Sequence, residues 1–170
     1  KSTERILELA ENPIKGRFDL EHLKAIHKHV FQDVYEWAGQ IRTVQISKGA
    51  SVFAMPGQIE SYSKQVFDGL ARDKHLKGMD KERFTERLAH HYAEINAVHP
   101  FREGNGRSTR VFVDQLAREA GFELDYSKVD AQRWNEAARH SFAGNLGPAK
   151  EVFAHIAVPA RAAAFDRDTP

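Results

Sequence analysis

Two helical patterns, separated by one glycine-bracketed break, restrict what this chain can fold into more than any other feature. Phe84, Leu88, Tyr92, Ile95 and Val98 recur at three- and four-residue steps, a stripe that should lie at the centre of a helical core. Helical spacing resumes after the break with Val111, Phe112, Leu116 and Ala117. Between them runs His99-Pro100-Phe101-Arg102-Glu103-Gly104-Asn105-Gly106-Arg107-Ser108-Thr109-Arg110. The stretch reads as a tight loop feeding a helix N-terminus.

That position has chemical consequences. The first N–H groups of a helix lack internal acceptors and attract anions. Gly104 and Gly106 permit backbone conformations that line up successive N–H groups as an anion nest. Arg107 and Arg110, three apart, share a helix face and suit a bidentate phosphate clamp. Arginine is unfavourable beside a positive helix terminus unless an anion meets it, and no acid follows until Asp114. Glu103 is a hard oxygen donor of the kind that holds Mg²⁺ together with substrate phosphates. His99 supplies a proton acceptor whose ordinary titration lies near neutrality. These parts are those of phosphoryl or nucleotidyl transfer. Taken singly, each also has a plain structural reading: Gly-Asn-Gly as a turn, the arginines as solvated surface, His99 as a complement to a helix C-terminus.

The rest of the chain reads as one mainly helical domain spanning 1–170, with its core over about 12–157. A short helix over 3–11 should turn Ile6, Leu7 and Ala10 inward. Asp19 caps a second helix carrying Leu20, Leu23, Ile26, His27 and Val30, and Phe31, Tyr35 and Trp37 form an aromatic cluster under a loop. His22, His27 and His29 lie on different helix faces, so surface or core roles are expected rather than a metal site. Residues 42–55 carry the one β signal, two short β-branched or aromatic runs flanking Lys48-Gly49, a hairpin. Such a hairpin is marginal alone; it either decorates the fold or offers an edge to an extended segment. A helix over 58–72 follows, then one capped by Asp80. There His90 and Glu94 suit an i, i+4 hydrogen bond better than a metal site, for no third ligand is evident. A helix over 130–142 should bury Trp134, Ala138 and Phe142. The tail, 159–170, is expected to be loose. Net charge is +1 with 29% charged residues, so neither nucleic acid nor an anionic membrane is indicated. Cysteine is absent, which excludes disulfides and thiolate metal sites. No apolar run approaches the ~18 residues of a membrane span.

The twelve-residue stretch resembles the signature of the Fic family, His-x-Phe-x-Asp/Glu-Gly-Asn-Gly-Arg-x-x-Arg, at all eight specified positions. The resemblance implies a Fic fold, a mainly α helical bundle with a small β-hairpin flap over the active site. It implies a protein adenylyltransferase that moves AMP from ATP to a Tyr, Ser or Thr hydroxyl of a target protein and releases pyrophosphate. On that reading His99 is the general base and Glu103 holds Mg²⁺. Gly104, Asn105 and Gly106 cradle phosphates, the Asn105 side chain being an added donor. Arg107 neutralises the departing pyrophosphate and Arg110 fixes the γ-phosphate. Lys48 and Gly49 border the nucleotide from the flap, along which the target docks. Gly106 stands where the kinase-like Doc branch has lysine, which leaves phosphotransfer the alternative. A lapsed nucleotide-binding module is a second alternative. No Ser or Thr here is followed four residues on by Glu, the family's inhibitory pattern. The chain therefore resembles the branch, bacterial toxins and related secreted effectors, whose separate small antitoxin supplies a glutamate to Arg110. Its expected location is the bacterial cytoplasm, or a host cell if delivered as part of an effector.

Overall fold

The computed structural model describes residues 1–48 and 51–160. Seven helices dominate: α1 (Ser2–Glu11), α2 (Leu20–Phe31), α3 (Ile59–Arg72), α4 (Lys81–Val98), α5 (Asn105–Glu119), α6 (Ala131–Phe142) and α7 (Gly147–Ile156). Two small antiparallel pairs complete the described fold, β1 (Ser47–Lys48) with β2 (Ser51–Val52), and β3 (Phe122–Leu124) with β4 (Ala157–Pro159). None of the described helices is long and apolar enough to cross a membrane.

α4 is the axis of the bundle. Asp80 starts it by accepting the Arg83 N–H at 2.8 Å, and its stripe, Phe84, Leu88, Tyr92, Ile95 and Val98, is buried along its whole length. α3, α5, α6 and α7 pack around it. α2, capped by Asp19, closes the far side of α5 with Leu23, Ile26, Val30 and Phe31. Because α4 is ringed by apolar partners, its C-terminus and the loop that follows cannot drift. That rigidity carries through to the motif.

Several expectations are corrected. In α1 the buried residue is Leu9, while Leu7 is 62% exposed and Ala10 is exposed. Leu9 enters the core with Ile6 packed against it, and on the exposed side Arg5 bonds Asp33 and Glu8 bonds His29, both at 2.8 Å, with Leu7 outward. In α6 the buried residues are Ala137 and Ser141; Trp134, Ala138 and Phe142 are half-buried because they face a cleft, described below. The tail does not loosen at 159: Pro159 pairs with Phe122, and the Ala160 N–H donates to the Gly121 carbonyl at 2.9 Å. Residues 161–170 lie outside the described residues. The hairpin expected over 42–55 is paired only between Ser47–Lys48 and Ser51–Val52; Gly49 and Ala50 at its turn also lie outside the described residues.

A ladder that short cannot hold itself in place. Buried Arg42 does so instead. Its Nε donates to the His99 carbonyl at 2.7 Å and its Nη1 to Val44 at 2.8 Å, and Nη2 reaches Ala54 and Val98. The guanidinium thus bolts both legs of the hairpin to the end of α4.

Candidate active site

His99 ends α4 in the left-handed region, at φ 48°, a conformation costing a non-glycine residue about 1–2 kcal/mol. The bonds from Arg42 to the His99 carbonyl and from the Arg42 N–H to the Pro100 carbonyl (2.9 Å) hold it there. The imidazole stacks on Phe53, centroids 3.7 Å apart and planes within 7°. Its Nδ1 lies 3.3 Å from the Asn96 carbonyl. A carbonyl only accepts, so Nδ1 carries the proton and Nε2 presents a lone pair. Burial pulls the His99 pKa down to about 4, helped by Arg42 and Lys48 and opposed by the Asn96 carbonyl. The expectation of titration near neutrality is therefore corrected: this base is already neutral well below physiological pH. In any reaction where this ring takes up a proton, kcat/KM should stay level from pH ~7.5 down to ~5 as far as this group is concerned, because only the neutral ring accepts a proton. An acid limb centred at the ordinary histidine value would overturn that assignment.

The loop after His99 is closed from inside. Asn105 Oδ1 accepts the Phe101 N–H at 2.9 Å, and Asn105 Nδ2 donates to the Phe101 carbonyl at 2.7 Å. The Asn105 side chain is thus buried and ties the loop together; one Nδ2 hydrogen and the backbone N–H are left for its expected role as a phosphate donor. Phe101 is an internal anchor, 0% exposed. The two glycines differ. Gly104 sits at φ +81°, and a Cβ built there would lie 2.4 Å from the Phe31 ring. Gly106 lies inside α5, with nothing within 4 Å of its Cβ position. The first requires glycine for backbone and packing; the second leaves open space in front of the helix N-terminus.

α5 begins without a side-chain cap and without an acid in its first turn, so its leading N–H groups and its dipole face outward unanswered. The guanidinium of Arg107 lies over the Phe31 ring at 4.7 Å and donates to Ser2 Oγ at 3.0 Å. Arg110 lies over Tyr126 at 3.8 Å and Trp134 at 5.5 Å. They therefore rest on separate aromatic supports rather than side by side. Neither makes an ion pair among the described residues. Behind Arg110, Tyr126 donates to Asp114 at 2.6 Å, and burial raises the Asp114 pKa to about 6. Glu103 is exposed, with one carboxylate oxygen accepting the Tyr35 hydroxyl at 2.9 Å.

One open cleft joins these groups. It is lined by His99, Arg102, Glu103, Gly104, Asn105, Gly106 and Arg107, by Lys48 from β1, and by Tyr92, Asn96, Trp134, Asn135, Ala138 and Phe142. Arg110 stands behind Trp134 and does not line it. Sequence reasoning did not identify Arg42, Phe53 or Asn135, and treated Tyr35 and Trp134 as core. A buried arginine bonded only to carbonyls leaves no local pattern to find. Elsewhere, groups of His90, His91 and Glu94 come within 4.8 Å of one another. Each has a protein partner, His90 with Glu94 and His91 with Asp73, both at 2.7 Å. His22, His27 and His29 bond to separate groups.

Comparison with known proteins bears on this arrangement. The model of the Fic/DOC family matches residues 17–117. The chain is 50% identical over 141 residues to the protein adenylyltransferase VbhT of Bartonella schoenbuchensis, a match covering 83% of this chain and 30% of that protein. It is 38% identical over 137 residues to the protein named probable protein adenylyltransferase Fic of Escherichia coli, covering 81% of this chain and 68% of that one. Among solved structures, the BepC effector of Bartonella tribocorum with bound AMPPNP superposes with a TM-score of 0.86 at 28% identity, covering 94% of this chain and 84% of that one. A helix N-terminus left open for an anion, a neutral imidazole beside it and a family match spanning both lead to one conclusion: this chain belongs to the Fic/DOC family.

Proposed function

We propose that this domain transfers AMP from ATP to a Tyr, Ser or Thr hydroxyl of a target protein. The observation that carries the reading is the pairing, in one cleft, of a neutral imidazole with a free Nε2 and an uncapped helix N-terminus with no acid in its first turn. The target hydroxyl oxygen bonds to the α-phosphorus, the α–β phosphoanhydride bond breaks, and pyrophosphate leaves. The hydroxyl proton passes to His99 Nε2. Backbone N–H groups of Gly104, Asn105 and Gly106 meet phosphate oxygens. Arg107 takes the charge of the departing pyrophosphate, and Arg110 extends from its aromatic support to the γ-phosphate. Lys48 adds positive charge from the flap; Gly49 is assigned beside it from the family resemblance alone. Half-buried Trp134 and exposed Asn135, both lining the cleft, offer the apolar wall and amide that a nucleobase needs.

Mg²⁺ fits the donor set, because Glu103 is an exposed hard carboxylate beside a phosphate nest and among the described residues no cation pairs with it. When bound, the ion neutralises charge on the α- and β-phosphates. The target's extended segment lies along the flap, whose Val52 is 72% exposed. Arg110, with no acid partnered to it among the described residues, is suited to a glutamate carried by a separate small inhibitor protein. This reading places the domain in the bacterial cytoplasm, or in a host cell if it is delivered as part of an effector.

The test is incubation with ATP and Mg²⁺ in bacterial and in eukaryotic lysates, with label on the α- or the γ-phosphate. Transfer of α-label, with AMP found on a target hydroxyl by mass spectrometry, is expected. Transfer of γ-label alone would replace the reading with phosphotransfer. No label on any protein, although ATP binds, would favour a lapsed module.

A further inference from the structure

Among the buried titratable groups that the proposed reaction does not use, His27 stands out for what it touches. It lies in the middle of α2, 0% exposed, and far in sequence from the motif. Its Nδ1 accepts the Gly39 N–H at 2.9 Å. An N–H donor commits Nδ1 to its lone pair, so Nε2 carries the proton and donates it, at 2.9 Å, to the carbonyl of Glu103. The ring stacks face to face on Phe101, centroids 3.9 Å apart. One imidazole therefore grips the motif loop twice, at its buried anchor and at the peptide joining Glu103 to Gly104.

That peptide is the critical one. Its orientation sets where the Glu103 carboxylate leaves the loop and how Gly104, at φ +81°, aims the first N–H groups of α5. The Glu103 carbonyl has no regular helical or strand partner, since it precedes α5, and a left-handed residue follows it. Without a fixed donor this peptide could rotate, moving carboxylate and N–H nest together. We propose that His27 is a positioning residue for triphosphate binding: as a neutral Nε2–H strut from α2, it locks the Glu103–Gly104 peptide in the orientation that the phosphates require. The inference rests on the nucleotide-binding reading above.

The experiment uses the whole chain and a non-hydrolysable ATP analogue with Mg²⁺, with affinity measured by calorimetry well below each variant's melting temperature. His27→Phe keeps a flat ring for Phe101 and removes both hydrogen bonds; His27→Gln retains an amide that can donate and accept. With the wild type binding, His27→Phe should weaken the analogue by about tenfold or more, as loss of an orienting partner typically does. KM for ATP should rise while KM for a target, set at the flap, stays put. His27→Gln should recover part of the affinity. A folded His27→Phe that binds the analogue as tightly as wild type would overturn the positioning role, whatever its melting temperature. So would a His27→Gln as weak as His27→Phe with both variants folded. A wild type that does not bind the analogue at all would instead overturn the nucleotide-binding reading itself.

Discussion

His99→Ala is expected to lower AMP transfer by about 10²–10⁴-fold, the usual contribution of a positioned general base, while ATP binding persists. The expectation follows from where the imidazole sits. Nδ1 is occupied by the Asn96 carbonyl, burial keeps the ring neutral, and the phosphate nest belongs to the next helix rather than to His99. Removing the ring costs the stack on Phe53, about 0.5–1.5 kcal/mol, and leaves the backbone at the same positive φ, a conformation alanine adopts somewhat less readily than histidine. The folded variant should therefore bind ATP and fail only in proton removal. Calorimetric titration with ATP alongside a transfer assay checks this. If affinity for ATP disappeared with activity, the imidazole would have to be recast as a support for the flap rather than a base.

Gly104→Ala is expected to be the most damaging small substitution in the motif. The left-handed backbone costs about 1–2 kcal/mol for any residue with a Cβ, and the new methyl would meet Phe31 at 2.4 Å. Phe31 is 0% exposed, so it has nowhere to go, and overpacking of this kind adds about 1–3 kcal/mol. The outcome should be a lower melting temperature together with weakened ATP binding, because the loop can relieve the clash only by moving the nest. Gly106→Ala is the matched control. Its Cβ meets nothing within 4 Å and its position is helical, so stability should hold or rise by up to about 1 kcal/mol. Any effect on ATP binding then reports a methyl crowding the phosphate. Equal melting temperatures for the two variants would contradict the distinct roles assigned to the glycines.

Much of this molecule could be read locally. The α4 stripe, the caps at Asp19 and Asp80 and the break at Gly104 all depend on residues within about one turn of each other. Such interactions are written in consecutive positions. What escaped reading depends on direction and distance. The roll of α1 was misjudged because Leu9, not Leu7, is the residue that meets the core beside Ile6, a choice that depends on what α1 packs against. Trp134, Ala138 and Phe142 had a core-like pattern, yet a helix that walls a cleft shows the same periodicity as one that is wholly covered. That the Asn105 amide also closes a ring with Phe101 was not legible, since nothing in the sequence pairs the two.

The histidines show the division most clearly. By itself the sequence determined that a base, a carboxylate, a nest and two arginines occupy one loop, because twelve contiguous residues cannot be far apart. Only the tertiary structure decided that His99 keeps Nε2 unbonded while both ring nitrogens of His27 are engaged. That difference comes from partners brought in by folding: Arg42, 57 residues away from His99, and Glu103, 76 residues away from His27. Protonation and tautomer follow burial and hydrogen bonding, and those properties exist only once the helices have packed.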